Sequence, residues 1–259
     1  MIRAQTFKAT NPARKNLTSY DHSQGGVAGS DINKRKAGNF ALIGAGGLGS
    51  WVFEGLLRLG AGHVSVFDDD TIDYSNLSRQ NFDWRDIGKN KAVYACKRLR
   101  KIGLFGTTLH AYPHRLEDAA KEGHDFTQYD VLAVLVDNSP ARRLGCELGL
   151  QHDIPVVQAG ISGSANNFYV ATQKTGEACW ACMFPNAVDD KTYPCAPGIA
   201  DVCFVAAGTI LFAIDSLICG RHREWNLRAI SMDGTMPDTQ AMMARKADCA
   251  LCGKQAETK

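Results

Sequence analysis

At 259 residues and 45% hydrophobic content, the chain can bury a sizeable core as one large domain, or one domain with a small appendage. Lys and Arg number 29 against 27 Asp and Glu, a formal net charge of +2. No global field therefore draws the protein to nucleic acid or an anionic membrane, and partners have to be recognised at local sites. Nine cysteines, four of them in two Cys-x-x-Cys pairs, favour metal over disulfide in a reducing compartment.

In chain order, Met1 to Lys36 is polar and broken by Gly25, Gly26 and Gly29, which predicts an arm or short helix outside the core or against a partner subunit. Met1 to Lys15 carries Arg3, Lys8, Arg14 and Lys15 with no continuous apolar stretch of the kind a secretory signal needs, so the expected location is cytoplasmic. From Asn39, Phe40-Ala41-Leu42-Ile43 reads as a strand and a glycine run follows; Ser50 to Leu59 has helical spacing and Val64 to Phe67 reads as the next strand. A helix over Lys89 to Lys101, a strand near Thr108 to Tyr112 and a central parallel strand at Val131 to Val136 continue the alternation. A helix over Pro140 to His152 and a strand at Pro155 to Gln158 come next, and Asn167 to Thr172 begins a sheet extension. The most apolar stretch, Val202 to Gly220, contains Gly208 and is interrupted by Asp215, which fits a buried helix better than a membrane span of ~20 uninterrupted apolar residues. The expected architecture is α/β: a Rossmann-like doubly wound, mainly parallel sheet with a mixed extension. It is divided as an arm over 1–38, one domain over 39–253 and a tail over 254–259.

Gly44-Ala45-Gly46-Gly47-Leu48-Gly49 fits G-x-G-x-x-G between a predicted strand and a predicted helix. In that context Gly44, Gly46, Gly47 and Gly49 allow positive φ and close approach of main-chain N–H groups to phosphate at a helix start. Asp68, Asp69 and Asp70 end the following strand, where a carboxylate accepts hydrogen bonds from ribose hydroxyls; Asp68 is preferred, with Asp70 beside it. These features alone fit an NAD-dependent oxidoreductase and an ATP-binding enzyme equally, and a tight turn with packing glycines would use the same letters.

Residues farther on favour a triphosphate. Adenylation has to hold three phosphates and neutralise charge at the α-phosphate while pyrophosphate departs. Arg79 and Lys91 can supply that charge, and Asn76 and Gln80 add neutral hydrogen-bonding groups. Asp137-Asn138 follows the apolar strand at its carboxyl end, where open α/β sheets place ligands, and Asp137 can hold a magnesium ion bridging phosphates.

Together the glycine run, Asp68 to Asp70, Asn76-Leu77-Ser78-Arg79-Gln80, Gly88-Lys89-Asn90-Lys91-Ala92 and Asp137-Asn138 resemble the successive motifs of the ThiF/MoeB/HesA and ubiquitin-activating superfamily. The resemblance implies a homodimer that binds ATP and magnesium and forms an acyl-adenylate on the C-terminal glycine of a ubiquitin-like or sulfur-carrier protein. It implies nucleotide or metal contacts at Asp68, Asn76, Arg79, Gln80, Lys91 and Asp137. A departure lies at Tyr20-Asp21-His22-Ser23: family members often carry an arginine where His22 stands, reaching the partner subunit's ATP, so either another cation such as Arg14 or Lys34 substitutes or activity is weaker or tuned differently. Alternatives are adenylation of a ribosomal peptide or a tRNA base, or a non-catalytic scaffold that binds a ubiquitin-like protein, which would suit the His22 departure.

Cys179-Trp180-Ala181-Cys182 and Cys249-Ala250-Leu251-Cys252 offer four thiolates, enough to close a tetrahedral structural zinc site. Spacing alone leaves redox Cys-x-x-Cys or core thiols open, and the family resemblance favours zinc. Cys195, in the loop Tyr193 to Gly198, is the candidate nucleophile and resembles the family cysteine that in some members accepts the acyl group, with a conjugating enzyme or a sulfur donor downstream. Cys203 and Cys219 bound the apolar helix and are expected to be buried, Cys96 and Cys146 sit within predicted helices, and all four are expected to be core or surface thiols rather than catalysts.

Overall fold

The computed structural model of the protein describes residues 2–10, 24–187 and 198–253. It begins with strand β1 (Gln5–Lys8) and helix α1 (Ile32–Ala37), the latter capped by the Asp31 carboxylate. The central units are β2 (Asn39–Ile43), α2 (Gly49–Leu59), β3 (His63–Phe67), α3 (Lys91–Leu99) and β4 (Thr108–Tyr112). After α4 (Leu116–Lys121) come β5 (Val131–Val134), α5 (Ser139–His152), β6 (Val156–Ile161) and β7 (Asn167–Gln173). A short α6 (Trp180–Met183), the long α7 (Ala200–Cys219), β8 (Leu227–Ser231) and β9 (Thr239–Ala241) complete the described elements.

These strands form one sheet in the order β1-β4-β3-β2-β5-β6-β7-β8-β9. The middle five, β4-β3-β2-β5-β6, pair in parallel, while β1 on one edge and β7 to β9 on the other pair antiparallel. The parallel centre is the expected doubly wound unit and β7 to β9 are the mixed extension. Chain order reverses at β2, which has β3 on one side and β5 on the other. That switch point opens a crevice at the strands' carboxyl ends.

Both faces of the parallel strands are covered, so their sequences run apolar without alternating. Leu42, Val64 and Val66 face a core shared with Val52, Phe53, Ile210 and Ile214 of α2 and α7. Their neighbours Ala41, Ile43 and Phe67 face a second core with Leu116, Leu132, Val134 and Leu148. The period-two direction of strand side chains thus divides one apolar run between two layers.

The segment before Asn39 departs from the expectation that it stays outside the core. Strand β1 extends the sheet through antiparallel pairing with β4, and Arg35 of α1 is buried. Its Nε and Nη2 donate to the Asp215 carboxylate at 2.6 and 2.8 Å, and other guanidinium N–H groups reach Ser30 and Gln24. Asp215 is the acid that interrupts the apolar stretch of α7. Burial opposes its ionisation, yet Arg35, with Cys219 and Arg221, holds its pKa below the usual carboxylate value. Helix α7 is long and apolar enough to cross a membrane by length and composition, and 56% of its most apolar window is buried within this fold.

Candidate nucleotide site

The glycine turn follows the carboxyl end of β2, at the switch point, and its glycines serve two purposes. Gly44 has φ +92°, and a Cβ on it would lie 2.8 Å from the Leu135 carbonyl oxygen; a Cβ on Gly49 would lie 1.9 Å from the Gly44 oxygen. Those two positions are dictated by backbone meeting backbone. Gly49→Ala is accordingly expected to destabilise the fold by about 1–3 kcal/mol, read as a lowered midpoint in urea unfolding. A Cβ on Gly46 would meet only Gln80 Nε2 at 4.0 Å, and one on Gly47 would lie 3.3 Å from Cys203 Sγ and 3.7 Å from Arg79 Cδ. At these positions the glycines thin the turn facing Arg79 and Gln80. Leu48 at the start of α2 offers no side-chain cap, so the helix N-terminus can face an anion.

Asp68 closes the turn from β3. Its Oδ2 accepts the Ala45 N–H at 2.6 Å and its Oδ1 the Asp70 N–H at 2.9 Å. Burial pushes its pKa up to about 6, against the opposing charge of Lys91 and the Ala45 amide. Lys91 opens α3 behind the Asn90 cap. Its side chain is only 8% exposed, and its ammonium donates to Asp70 Oδ2 at 2.7 Å. Asn90 Nδ2 binds the carbonyls of Asp68 and Asp70 at 2.9 and 3.2 Å, so the loop after β3 is fastened to the start of α3. Asp70 thus serves Lys91, while the partly buried Asp68 sits against the turn.

On the other flank, Arg79 Nη1 donates to the Ser75 carbonyl at 2.6 Å, and its own carbonyl accepts from Trp51 Nε1 at 2.9 Å. Gln80 is buried and its Oε1 has no hydrogen-bond partner among the described residues, an orphan acceptor beside the turn that a polar ligand would satisfy. Asn76 is engaged locally: Oδ1 accepts the Asp73 N–H at 3.1 Å and Nδ2 reaches Ser75 Oγ at 3.3 Å. Asp137 is exposed just past β5. Asn138, also expected at the nucleotide, spends its Oδ1 on the Ala141 N–H at 2.9 Å as the cap of α5.

The structure therefore gathers the glycine turn, Asp68, Arg79, Gln80 and Lys91 around one crevice. Cys203 is a core thiol as expected, and its place beside the glycine turn is what sequence reasoning did not give. It is fully buried in the first turn of α7, but it faces Gly47, and burial raises its pKa to about 11 against the charge of Arg79. No local pattern announces that contact, because α7 begins far along the chain from the turn. Cys195, Arg14 and His22 lie outside the described residues. Lys34 is exposed on α1.

The two Cys-x-x-Cys pairs meet. Cys179 Sγ lies 3.5 Å from Cys249 Sγ and 3.8 Å from Cys182 Sγ, and Cys182 Sγ lies 3.4 Å from Cys252 Sγ. All four are buried, with their sulfurs within 4.8 Å of one another. These separations far exceed a bonded S–S distance of about 2.05 Å. They approach the ~3.8 Å edge of a tetrahedron with metal–sulfur bonds near ~2.3 Å. Lys246 N–H points at Cys182 Sγ at 3.4 Å, the kind of outer contact that steadies a thiolate ligand.

The ThiF family profile matches residues 24–252. The "Sulfur carrier protein adenylyltransferase" of Thermus thermophilus is 32% identical over 188 residues, covering 69% of this chain and 68% of that protein. The "Adenylyltransferase and sulfurtransferase uba4" of Aspergillus terreus is 27% identical over 238 residues, 86% of this chain; the match spans only about half (49%) of that relative's length. Among solved structures, Escherichia coli MccB with ATP superposes with a TM-score of 0.72 at 21% identity, covering 86% of this chain and 68% of MccB, a likeness of fold. With a profile match that takes in the glycine turn, both flanks of the crevice and all four clustered thiols, the chain belongs to the ThiF family.

Proposed function

We propose that the protein adenylates the C-terminal carboxylate of a ubiquitin-like or sulfur-carrier protein at the expense of ATP. The observation that carries this reading is the pair of cations flanking the glycine turn, the nearly buried Lys91 and Arg79, in a chain of the ThiF family. A buried ammonium and a guanidinium at a phosphate-binding turn serve a triphosphate that gains charge during transfer. The carrier carboxylate oxygen bonds to the α-phosphorus, the bond from that phosphorus to the bridging oxygen breaks, and pyrophosphate leaves with the bond's electrons. Asp68 accepts from the ribose hydroxyls and Gln80 Oε1 from a nucleotide N–H or hydroxyl. Asp137 would hold magnesium, which when bound neutralises phosphate charge. The cysteine cluster suits zinc as a closed structural site. Homodimer formation, a cytoplasmic location and acyl transfer to Cys195, with a conjugating enzyme or sulfur donor beyond, complete the reading.

Pyrophosphate exchange into ATP tests it. Exchange that requires a small protein ending in glycine supports the proposal. Exchange driven by a short ribosomal peptide or by tRNA would move the acceptor to that class, and ATP binding without any exchange would leave a scaffold.

The acidity of Asp68 adds a pH signature. Its folded pKa of about 6 lies above the ordinary value of 3.8, so the native carboxyl takes up a proton as pH falls through about 6 and loses acceptor capacity. The same shift makes Asp68 a relative cost to folded stability above that range, a cost that disappears in acid. ATP affinity is expected to fall as pH drops from about 7 to 5, beyond the change due to the phosphates themselves, and Asp68→Asn should flatten that extra dependence. Identical titration curves for both proteins would remove Asp68 from the ribose site.

A further inference from the structure

We propose that Arg142 is a positioning residue that fixes the carboxyl end of β5, and with it Asp137, against the glycine turn; this rests on the magnesium role given to Asp137 above. Arg142 lies one helical turn beyond Asn138 and is 9% exposed. Its Nη2 donates to the carbonyl of Val136, the residue before Asp137, and its Nη1 donates to the Tyr169 hydroxyl at 3.0 Å. One planar fork thus ties α5 to the end of β5 and to β7. Its carbon Cζ sits 5.9 Å from the centre of the Tyr169 ring.

Among the described residues no carboxylate pairs with this guanidinium, although a buried charge ordinarily has a partner of opposite sign. A group kept only for stability would be better served by an ion pair or an apolar side chain. Here the charge is directed at a main-chain carbonyl on the rim of the crevice. The surroundings make room for it: a Cβ on Gly160 of β6 would lie 2.8 Å from Tyr169 Cε1 and 3.3 Å from Arg142 Nη2. The glycine turn comes close to the same strand end, since a Cβ on Gly44 would lie 3.3 Å from Val136 Cγ1. Val136 thus neighbours both the turn and the fork, and the exposed Asp137 follows it directly. Two bonds in different directions need the fork of arginine, which lysine reproduces only in part.

Calorimetric titration of the full chain with ATP, in magnesium and in EDTA, tests this through a double-mutant cycle. Arg142→Met is expected to weaken ATP binding about 10-fold or more in magnesium, the range seen when a group supporting a metal ligand is lost. In EDTA it should bind ATP as the wild type does. Arg142→Lys should recover part of the loss. On an Asp137→Asn background, Arg142→Met should add less than about 2-fold, because nothing remains to be positioned. If Arg142→Met no longer melts cooperatively, Tyr169→Phe, which loosens the fork and keeps the Val136 bond, enters the same cycle with a smaller expected loss. Effects of the two sites that multiply in the double mutant, or a loss equally large in EDTA, overturn the positioning role and leave Asp137 as a magnesium ligand. Asp137→Asn binding ATP like the wild type in magnesium would overturn the magnesium role and the proposal together.

Discussion

Lys91→Met is expected to reduce carrier-dependent pyrophosphate exchange by about 10²–10³-fold, the scale seen when a single preorganised group that stabilises developing charge is removed. The expectation follows from where the ammonium sits. Its side chain is 8% exposed, while its partner Asp70 is 61% exposed, so the carboxylate is screened by water while the ammonium is largely buried and close enough to Asp68 to act on its charge. Asp70→Asn should therefore cost less than about 10-fold, since a largely exposed ion pair contributes little. Arg79→Lys should fall between, because a lysine keeps the charge and loses the planar donor set. Thermal midpoints separate a chemical loss from a folding loss: Lys91→Met replaces a buried flexible cation by an apolar chain of similar length, and its midpoint should stay within a few degrees. Exchange by Lys91→Met at the wild-type rate would take the residue out of the chemistry and leave charge neutralisation to other groups.

Much of this site was legible because its parts are local. The glycine turn, the acid after β3 and the cap-and-lysine start of α3 each lie at a strand or helix end that apolar periodicity marks out, and Asp68 and Lys91 come together because β3 and α3 are consecutive. The unreadable parts depend on long-range contact. Asp215 looked only like a break in an apolar run, and its reason, the Arg35 guanidinium, comes from 180 residues earlier. Strand β1 is four residues with exposed ends and a lysine, too short and polar for a pattern, and it exists because β4 offers an unpaired edge. Strands β8 and β9 are half-exposed or exposed along their length, so burial wrote no alternation into them. Asn76 and Asn138 were expected at the nucleotide from motif alone; the structure uses their side chains in a capping box and a helix cap, roles that asparagine fills at turns in any fold.

The cysteine cluster carries the second large effect. The purified protein is expected to hold about one zinc per chain, and Cys182→Ser should both release the metal and lower the thermal midpoint by about 10 °C or more, because binding energy of a closed site is folding energy. The geometry says which part fails. Cys179 caps α6 and Cys182 lies within it, shortly after β7, and Cys249 and Cys252 lie beyond β9, 70 residues on; a metal there fastens the segment after β9 to the sheet extension. Three of the elements it spans are short or exposed, and the small core around it joins the four cysteines to Cys146, Leu150, Ala171, Ala178, Trp180, Ala181 and Met183. Without the ion, four buried thiols within 4.8 Å offer only weak hydrogen bonds in place of metal–sulfur bonds. The nucleotide crevice belongs to a different core, so a strong chelator should loosen residues 243–253 to hydrogen exchange before it affects ATP binding. Cys146 supplies the control. Its thiol lies in the same core but donates to Gln173 Oε1 at 2.9 Å, so Cys146→Ser should keep its zinc. Full metal content in Cys182→Ser, or its absence from the wild type, would return the four sulfurs to the status of core thiols.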